Sequence, residues 1–552
     1  MKRYTNLLFS LLMLVVLGAC DYLDYDESSY MLEEDVFSEF SRTKNMLTHA
    51  YSQLPHDFST IDGAMRSSGT DEAVHVDKLS NIIRFTNGTW SPIQTVDAQW
   101  ESMYSGIYNI NLFLKQVEDK TWEELKWNDD YEEKMAQFEL YPYEGRVLRA
   151  YFYFELFRRY GGVPLVTKQL TEEEANDITR ASAQEIADFI VDECDAAIAI
   201  LPDSYESMIG TQEVGRVTKG AAMALKARTL LYMASPLHNS TGDMTQWEEA
   251  AVAAKEIIDS HIYALEDDYA DVVNNGESKE LIFSVRQNES NSFEMINFPV
   301  GYEGGNTGTC PSHNLVSAYE MLDTGLPIDN QASGYDPNFP YEGRDPRLSE
   351  TVLVNGSVWK GEEIEIWHGG ANAEPKQNAS RTGYYLKKYV VESVNLETGN
   401  TSKKRPEWVL FRLGEVYLNY AEAMNEATGG PEIAGAMGMT ALEAVNAIRQ
   451  RAGMPDFPSG MSQDEFRKKL QNERRVELAF EDHRFWDVRR WKIGDETTEI
   501  SGITASKQAY GDYEYAEKLL ENRVWDERMN FYPIPQSEIF KNAKLTQNPG
   551  WE

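Results

Sequence analysis

The stretch Glu144–Pro164, EGRVLRAYFYFELFRRYGGVP, decides the fold class. Val147, Tyr151, Phe154 and Phe157 follow an i, i+4, i+7 spacing that places large apolar side chains on one helical face. The pattern stops at Gly161-Gly162 before Pro164, a combination that ends helices. The same grammar recurs further on. Residues 182–200 open with Ser182-Ala-Gln-Glu185, a capping box, and carry Ile190, Val191, Cys194 and Ile198 as a core face. Residues 216–235 present Gly220, Ala221, Ala224 and Ala227, small side chains that let another helix approach. Residues 246–260 follow with Trp247, Ala250, Ala254 and Ile257.

Helices paired in this way, large residues meeting small ones, look like tetratricopeptide-type hairpins. Such pairs stack because one pair alone cannot bury its apolar face. A second helical block runs from about 411 to 491. Leu413, Val416, Tyr417, Tyr420, Ala421 and Met424 share a face there, and Thr440-Ala-Leu-Glu443 and Ser462-Gln-Asp-Glu465 start two more capped helices. Between the blocks the character changes. Twelve of the 37 Gly fall in residues 301–383, about twice their share by length. Short β-like runs at 281–285, 351–354 and 384–391 are separated by Gly, Pro and Asn. The expected fold is mostly α: one domain over 36–552, with a scaffold of tetratricopeptide-like pairs at 36–261 and 411–491. A loop-rich, irregular ligand-binding insert with short β-strands occupies 262–410, and 492–552 reads as an irregular C-terminal segment. Long loops on a rigid scaffold are where binding residues tend to sit.

Composition narrows the partners. Hydrophobic residues are 42% of the 552, and 30 Tyr, 22 Phe and 12 Trp supply ample material for a core, which excludes disorder as the main state. Asp plus Glu number 90 against 52 Lys plus Arg, a net charge of −38. Nucleic acid is thereby excluded as a partner, since phosphate binding needs a basic footprint, and anionic membrane surfaces are disfavoured. A neutral ligand or a protein partner stays open. The N-terminus, MKRYTNLLFSLLMLVVLGAC, has a basic start, an apolar run at 7–17 and small residues before Cys20. It reads as a signal peptide, residues 1–19, ending in the lipobox of bacterial lipoproteins, with Cys20 diacylated and the acidic stretch 20–35 as a tether. Such an anchor holds a protein on a bilayer without spanning it.

No sequence signature of catalysis emerges. The eight His are scattered, without His-Glu-x-x-His or His-x-His, and no nucleophile elbow, phosphate loop or dinucleotide fingerprint is present. No EF-hand-like loop is present either, so no metal or cofactor is expected. With 90 carboxylates, a glycosidase-like pair is uninformative. The charged run Asn472–Trp491 has two readings: an acid–base cluster of Glu473, Arg475, Glu477 and Arg484, or an amphipathic helix whose charges pair at i, i+3 or i+4 while Val476, Phe480, Phe485 and Trp486 pack. The second is preferred.

Several blocks resemble the SusD/RagB family of outer-membrane nutrient-binding lipoproteins. They are Glu144–Pro164, Arg344-Asp-Pro-Arg347, Leu410–Ala423, Ile448–Pro455, the Glu473–Trp491 run, Tyr532-Pro-Ile-Pro-Gln-Ser-Glu538 and Leu545-Thr-Gln-Asn-Pro-Gly550. They occur in the family's order and span nearly the whole chain after Cys20. The resemblance implies a non-enzymatic, cell-surface protein, lipid-anchored to the outer membrane, that captures oligosaccharides for a SusC-like TonB-dependent transporter. A peptide-binding, RagB-type member is the alternative within the same class, and a surface glycoside hydrolase or a purely protein-binding scaffold lies outside it.

Sugars offer apolar C–H faces to aromatic rings and hydroxyl edges to Asp, Asn and Arg. Three segments carry such residues. The first holds Asp71, Arg84 and Trp90, the last in a turn-like Asn87-Gly-Thr-Trp-Ser-Pro92 context that suggests exposure, whereas Trp100 sits in a helical stripe and reads as core. The second runs from Tyr302 to His313, with Cys310 on the wall. The third runs from Trp359 to His368, with Trp367 before Gly369-Gly370, then Arg381 before Tyr384-Tyr385. For each single aromatic, loop packing and ligand contact are both open. Replacing Cys20 by Ala is expected to leave the protein unlipidated and free of the membrane fraction; retention there would contradict the anchor.

Overall fold

Three helices start where the sequence places capping boxes. Ser182, Thr440 and Ser462 each accept a hydrogen bond from the backbone N–H three residues on, and the Glu at that position accepts from the cap backbone. Each such cap is worth about 1 kcal/mol. The computed structural model describes residues 33–206 and 214–552. The signal peptide at 1–19, the lipidation of Cys20 and tether residues 20–32 lie outside them.

Among the described residues, eight helices form the scaffold: α1 (Phe40–Tyr51), α2 (Trp100–Val117), α3 (Tyr141–Tyr160), α4 (Ala183–Ile198), α5 (Lys219–Ala234), α6 (Met244–Ser260), α7 (Leu413–Thr428) and α8 (Ala441–Arg451). Each packs on the next in chain order. Close approach depends on small residues. Gly106 on α2 faces Phe152 on α3, and a Cβ there would lie 2.6 Å from that ring. On α5, Ala221, Ala224 and Ala227 are buried as expected, as are Trp247, Ala250 and Ala254 on α6. Helix α3 is buried on all sides, not on one face, because it lies between α2 and α4 with the C-terminal segment over its end.

Helices α6 and α7 pack directly although the whole insert separates them in sequence. The insert is therefore a long excursion from an unbroken helical stack. It departs and returns through one antiparallel pair, β2 (Leu281–Arg286) with β8 (Glu407–Arg412). The other strands also pair two by two and antiparallel: β1 (Ala73–His75) with β3 (Thr309–Pro311), β4 (Val352–Leu353) with β7 (Tyr385–Leu386), β5 (Val358–Trp359) with β6 (Glu362–Glu363), and β9 (Glu499–Lys507) with β10 (Tyr513–Asn522). The run at 384–391 yields only the two residues of β7, since Tyr389 takes a positive φ of 66° and turns the chain. The β9–β10 hairpin is a feature that the reading of 492–552 as irregular does not contain.

The Glu473–Trp491 run is not one helix. Helix α9 (Gln463–Glu477) and α10 (Arg484–Arg490) are joined by a turn in which Phe480 and Asp482 have φ of 61° and 64°. Val476, Phe480, Phe485 and Trp486 are buried as expected and Asp487 pairs with Arg490 at i, i+3, but most of the charges find partners outside the run. Arg347 Nη1 lies 2.6 Å from Glu473 and 2.9 Å from Glu477, and its Nη2 is 2.7 Å from Asp345. Arg412 meets Glu280 at 2.6 Å, Glu477 at 2.8 Å and Glu481 at 2.6 Å. Arg449 joins Glu473 to Glu320, Arg451 joins Glu477 to Glu280, and Lys388 meets Glu481 at 2.6 Å. All these side chains are buried. Burial alone would neutralise Glu477, but Arg451, Arg412 and Arg347 hold its carboxyl well below the usual carboxylate range. Glu473, Glu481 and Asp487 are likewise lowered against the effect of burial, by Arg347, Arg412 and Arg474 respectively.

Removing one member of such a network leaves buried charge uncompensated, at a cost of about 3–5 kcal/mol. Glu477→Gln is expected to lose stability of that order, read as a lower denaturant midpoint at neutral pH. Because these carboxyl groups are depressed in the folded protein, their stabilisation is present above the ordinary carboxylate pKa of about 4 and is lost as pH falls through the folded values. Thermal midpoints that stay level from neutral pH into that acid range would contradict this.

Candidate functional site

The β9–β10 hairpin builds one wall of an open groove. Its turn carries Gly511 at a φ of 96°, and Tyr513, Tyr515 and Glu517 stand opposite Lys507, Ala505 and Ile503. Strand period two sends these three side chains to one face, toward the insert. The groove encloses about 500 Å³ and is lined by Tyr515, Glu517, Tyr335, His313, Asp329 and Asn472, with Pro327, Ile328, Pro337 and Ile503 as its apolar part.

Tyr335 and Tyr515 line it, and a belt of ring contacts continues from Tyr515 beyond it. Tyr341 meets Tyr515 edge-on at 5.6 Å between centroids and Tyr384 at 6.2 Å. Tyr513 lies 6.3 Å from Tyr515. Lys507 Nζ sits 4.8 Å over Trp367 and 5.9 Å from Tyr513, which continues the belt to Trp367. At the other end the Arg344 guanidinium lies 5.6 Å from the Tyr335 ring centroid. Tyr335, Tyr513, Tyr515 and Trp367 are half-buried: their edges are held and part of each ring stays open to solvent. Tyr384 is buried beside the groove-lining His313, whose ring is parallel to it and whose Nδ1 lies 2.8 Å from its hydroxyl. Asn355 Nδ2 donates to Tyr515 Oη at 3.2 Å. Burial holds the His313 imidazole below its ordinary pKa and so uncharged at neutral pH, and burial raises the Tyr515 and Tyr384 phenols. Flat apolar faces, amide and carboxylate acceptors and an uncharged imidazole are the groups that grip a pyranose ring.

The sequence-derived residues distribute unevenly over this surface. Trp367 lies on the belt. Arg381 stands at the hairpin base, paired to Glu521 at 2.8 Å and donating to the His75 carbonyl at 3.2 Å. Arg84 is half-buried in a separate polar depression of about 440 Å³ with Asp62, Asn81 and Gln99, where it donates to Asn81 and Gln94 at 3.1 and 2.6 Å. No ring lines that depression. Tyr302 is half-buried, its hydroxyl donating to the Trp359 carbonyl at 3.0 Å. Trp359 itself is buried at 1% exposure, edge-on to Phe298.

Trp90 is not exposed, contrary to its turn-like context. It is 2% accessible, packed against Phe85, Tyr532 and Trp551 at 4.8–5.1 Å. Cys310 does not line an open wall: it is wholly buried in β3, opposite Val74, and burial pushes its thiol up. Asp71 is buried and clamped by Arg484, with both oxygens at 2.9 Å, and by Arg475 at 3.0 Å, so its carboxyl sits far below the usual range despite burial. These positions are framework. The residues that sequence reasoning missed are Tyr335, Tyr341, Tyr513, Tyr515 and Glu517. The Tyr510-Gly511-Asp512 turn between β-rich runs is a local signal for Tyr513, Tyr515 and Glu517, whereas Tyr335 and Tyr341 have none.

Glu72, beside Asp71, behaves oppositely. Burial raises its carboxyl to about 8 in spite of Arg475 and Arg484, and Oε1 finds no partner. A folded pKa above the unfolded one contributes stability that is full below about pH 4.5 and declines as pH rises toward 8. Glu72→Gln removes that titration, so its thermal midpoint relative to the parent is expected to climb between about pH 5 and pH 8. A constant difference would refute the assignment.

Comparison with known proteins agrees with this architecture. Residues 263–551 match the model of the SusD family, and residues 21–231 match one described as starch-binding and associating with the outer membrane. A SusD-like protein of Bacteroides fragilis superposes with a TM-score of 0.79 at 30% identity, over 94% of this chain and 98% of that one. A SusD-like carbohydrate-binding protein of the same organism gives 0.76 at 26% identity, over 93% of this chain and 100% of that one. SusD-like protein P38 of Formosa agariphila is 24% identical over 546 residues, covering 92% of this chain and 96% of its own.

Proposed function

The chain belongs to the SusD family, and on that premise we propose that it is a non-enzymatic surface lipoprotein that captures oligosaccharides in the aromatic groove and passes them intact to a SusC-like TonB-dependent transporter. The observation that carries the reading is an open groove of about 500 Å³ lined by Tyr335 and Tyr515, with the belt Tyr341–Tyr515–Tyr513 continuing through Lys507 to Trp367. A groove of this size takes a few sugar units, and its rings are held at their edges before any ligand arrives. Preorganised rings bind with little loss of side-chain entropy.

Support for the location comes from the lipobox ending at Cys20 and from the outer-membrane association in the description of the model matched by residues 21–231. Among the described residues no helix is long and apolar enough to cross a membrane, so a lipid supplies the anchor in this reading. The relative from B. fragilis described as carbohydrate-binding supports the ligand class. Capture followed by hand-over requires that the cargo leave unaltered. The rings and amides of the groove serve that by gripping through many weak contacts that release without bond cleavage.

Calorimetry on the full chain carrying Cys20→Ala is expected to show oligosaccharide binding without appearance of new reducing ends. Tyr335→Ala and Tyr515→Ala are each expected to weaken it by about 1 kcal/mol, some five-fold. Undiminished affinity in both variants would discard the groove as the site, and release of reducing ends would replace the reading with a hydrolase.

A further inference from the structure

The groove is negatively charged as well as aromatic. Asp329 and Glu517 line it, both exposed, and among the described residues neither side chain has an ion-pair or hydrogen-bond partner. Glu517 is close enough to act on both the Tyr335 phenol and the His313 imidazole. No Lys or Arg lines the groove. The nearest cations, Arg344 and Lys507, keep their charge but stand off the lining. Arg344, beneath Tyr335, donates to the carbonyls of Val316, Tyr319 and Pro340. Lys507 rests on the Trp367 ring at the far end, Arg381 is paired to Glu521, and His313 is held uncharged by burial. The chain as a whole adds a net charge of −38 of the same sign.

We propose that this groove accepts uncharged or amine-bearing sugars and rejects uronate- and sulfate-bearing ones, with Asp329 and Glu517 as the discriminating residues. The inference rests on the glycan reading of the groove. An acidic sugar stacked between Tyr335 and Tyr515 would bring its charge within the Debye length, about 8 Å at physiological salt, of two carboxylates. Arg344 and Lys507 offset that repulsion only in part, since Arg344 is buried beneath Tyr335 and turned to backbone carbonyls while Lys507 lies beyond Tyr513 on Trp367; discrimination built on repulsion needs no extra contact to the accepted ligand. A protonated amine on the sugar finds two free acceptors in the same place.

The test is calorimetry on the full chain carrying Cys20→Ala, with two groups of probes. The first comprises neutral oligosaccharides of β-1,3-glucan, α-1,4-glucan, xylan and mannan, together with deacetylated chitosan oligosaccharides. The second comprises oligogalacturonate, alginate oligosaccharides and sulfated galactan fragments. The tightest ligand is expected in the first group, with every member of the second weaker by about ten-fold or more, and the gap should narrow as salt is raised. In the double variant Asp329→Asn, Glu517→Gln the ratio of anionic to neutral affinity is expected to rise by about five-fold or more. Both positions are exposed and without side-chain partners, so the variant should keep its thermal midpoint. An acidic oligosaccharide that binds as tightly as the best neutral one, or an unchanged ratio in the double variant, overturns the charge inference alone. Absence of binding by both groups overturns the glycan reading and this inference with it.

Discussion

The carboxylates of Glu473, Glu477 and Glu481 are buried in the middle of the molecule, and everything around them is arranged to keep them charged. A carboxylate without water must find its counter-charges in the chain, at close range and with its oxygens occupied. Here the donors come from far apart in sequence: Arg347 and Lys388 from the insert, Arg412 from the strand that ends it, Arg449 and Arg451 from α8. No subset of these elements can satisfy the three glutamates alone. The turn between α9 and α10 adds Asp482, whose left-handed backbone sends its carboxylate to Arg66 at 2.5 Å and Arg158 at 3.1 Å, on the opposite, N-terminal side. The network therefore welds three sequence-distant parts into one body and fixes their register, since a shift of any element by one residue would strand a charge.

That weld explains how loops can form a site. The insert has little regular structure, yet it leaves and rejoins the helical stack through one strand pair and is pinned at Arg347 and Lys388. Arg344, three residues before Arg347, holds the loop carbonyls of Val316, Tyr319 and Pro340. Tyr335 and Tyr341 belong to that same pinned loop. The hairpin is tied down in turn by Asn314, which accepts from Ser501 N at 2.8 Å and donates to the Glu499 carbonyl at 2.9 Å, and by the Arg381–Glu521 pair. Rigid placement of groove rings is inherited from buried charge several residues away.

Much of the frame was legible in the sequence because its signals are local. Capping boxes at Ser182, Thr440 and Ser462, the apolar spacing of α3 and the small faces of α5 and α6 each need only a short window. The failures share a cause. Trp90 has the neighbours of an exposed turn residue, but Tyr532 and Trp551, over 400 positions away, close over it. The charged run at 473–491 has the periodicity of an amphipathic helix, and pairing within that helix was the natural reading. Asp487 does pair inside the run, with Arg490 and Arg474, but the other partners lie in the insert, in α7, α8 and β8 and at Arg66, Asp71 and Arg158, which no local pattern contains. Periodicity tells which residues share a face; it does not tell whether that face meets water or a ring of arginines. The family blocks were recognisable for the same reason that they are framework: they hold Arg347, Arg412, Arg449, Glu473 and Glu477, whose side chains have no freedom to differ without stranding a partner.

The groove lies on the other side of that division. Tyr335, Tyr341, Trp367, Tyr513 and Tyr515 all fall outside the resembling blocks. They come from three segments, two in the insert and one in the hairpin, and none makes an ion pair. A ring held by edge contacts and one hydroxyl bond can be exchanged for another without disturbing the weld beneath it. Substitution of Tyr515 would forfeit one bond to Asn355 and contacts with two rings, whereas substitution of Glu477 would leave Arg347, Arg412 and Arg451 short of counter-charge. A protein that keeps one frame while meeting different ligands needs this separation of energies, and it follows that the sequence features which reveal the frame are silent about the cargo. In the proposed reading the cargo is written in the few rings and carboxylates that the frame carries without depending on them.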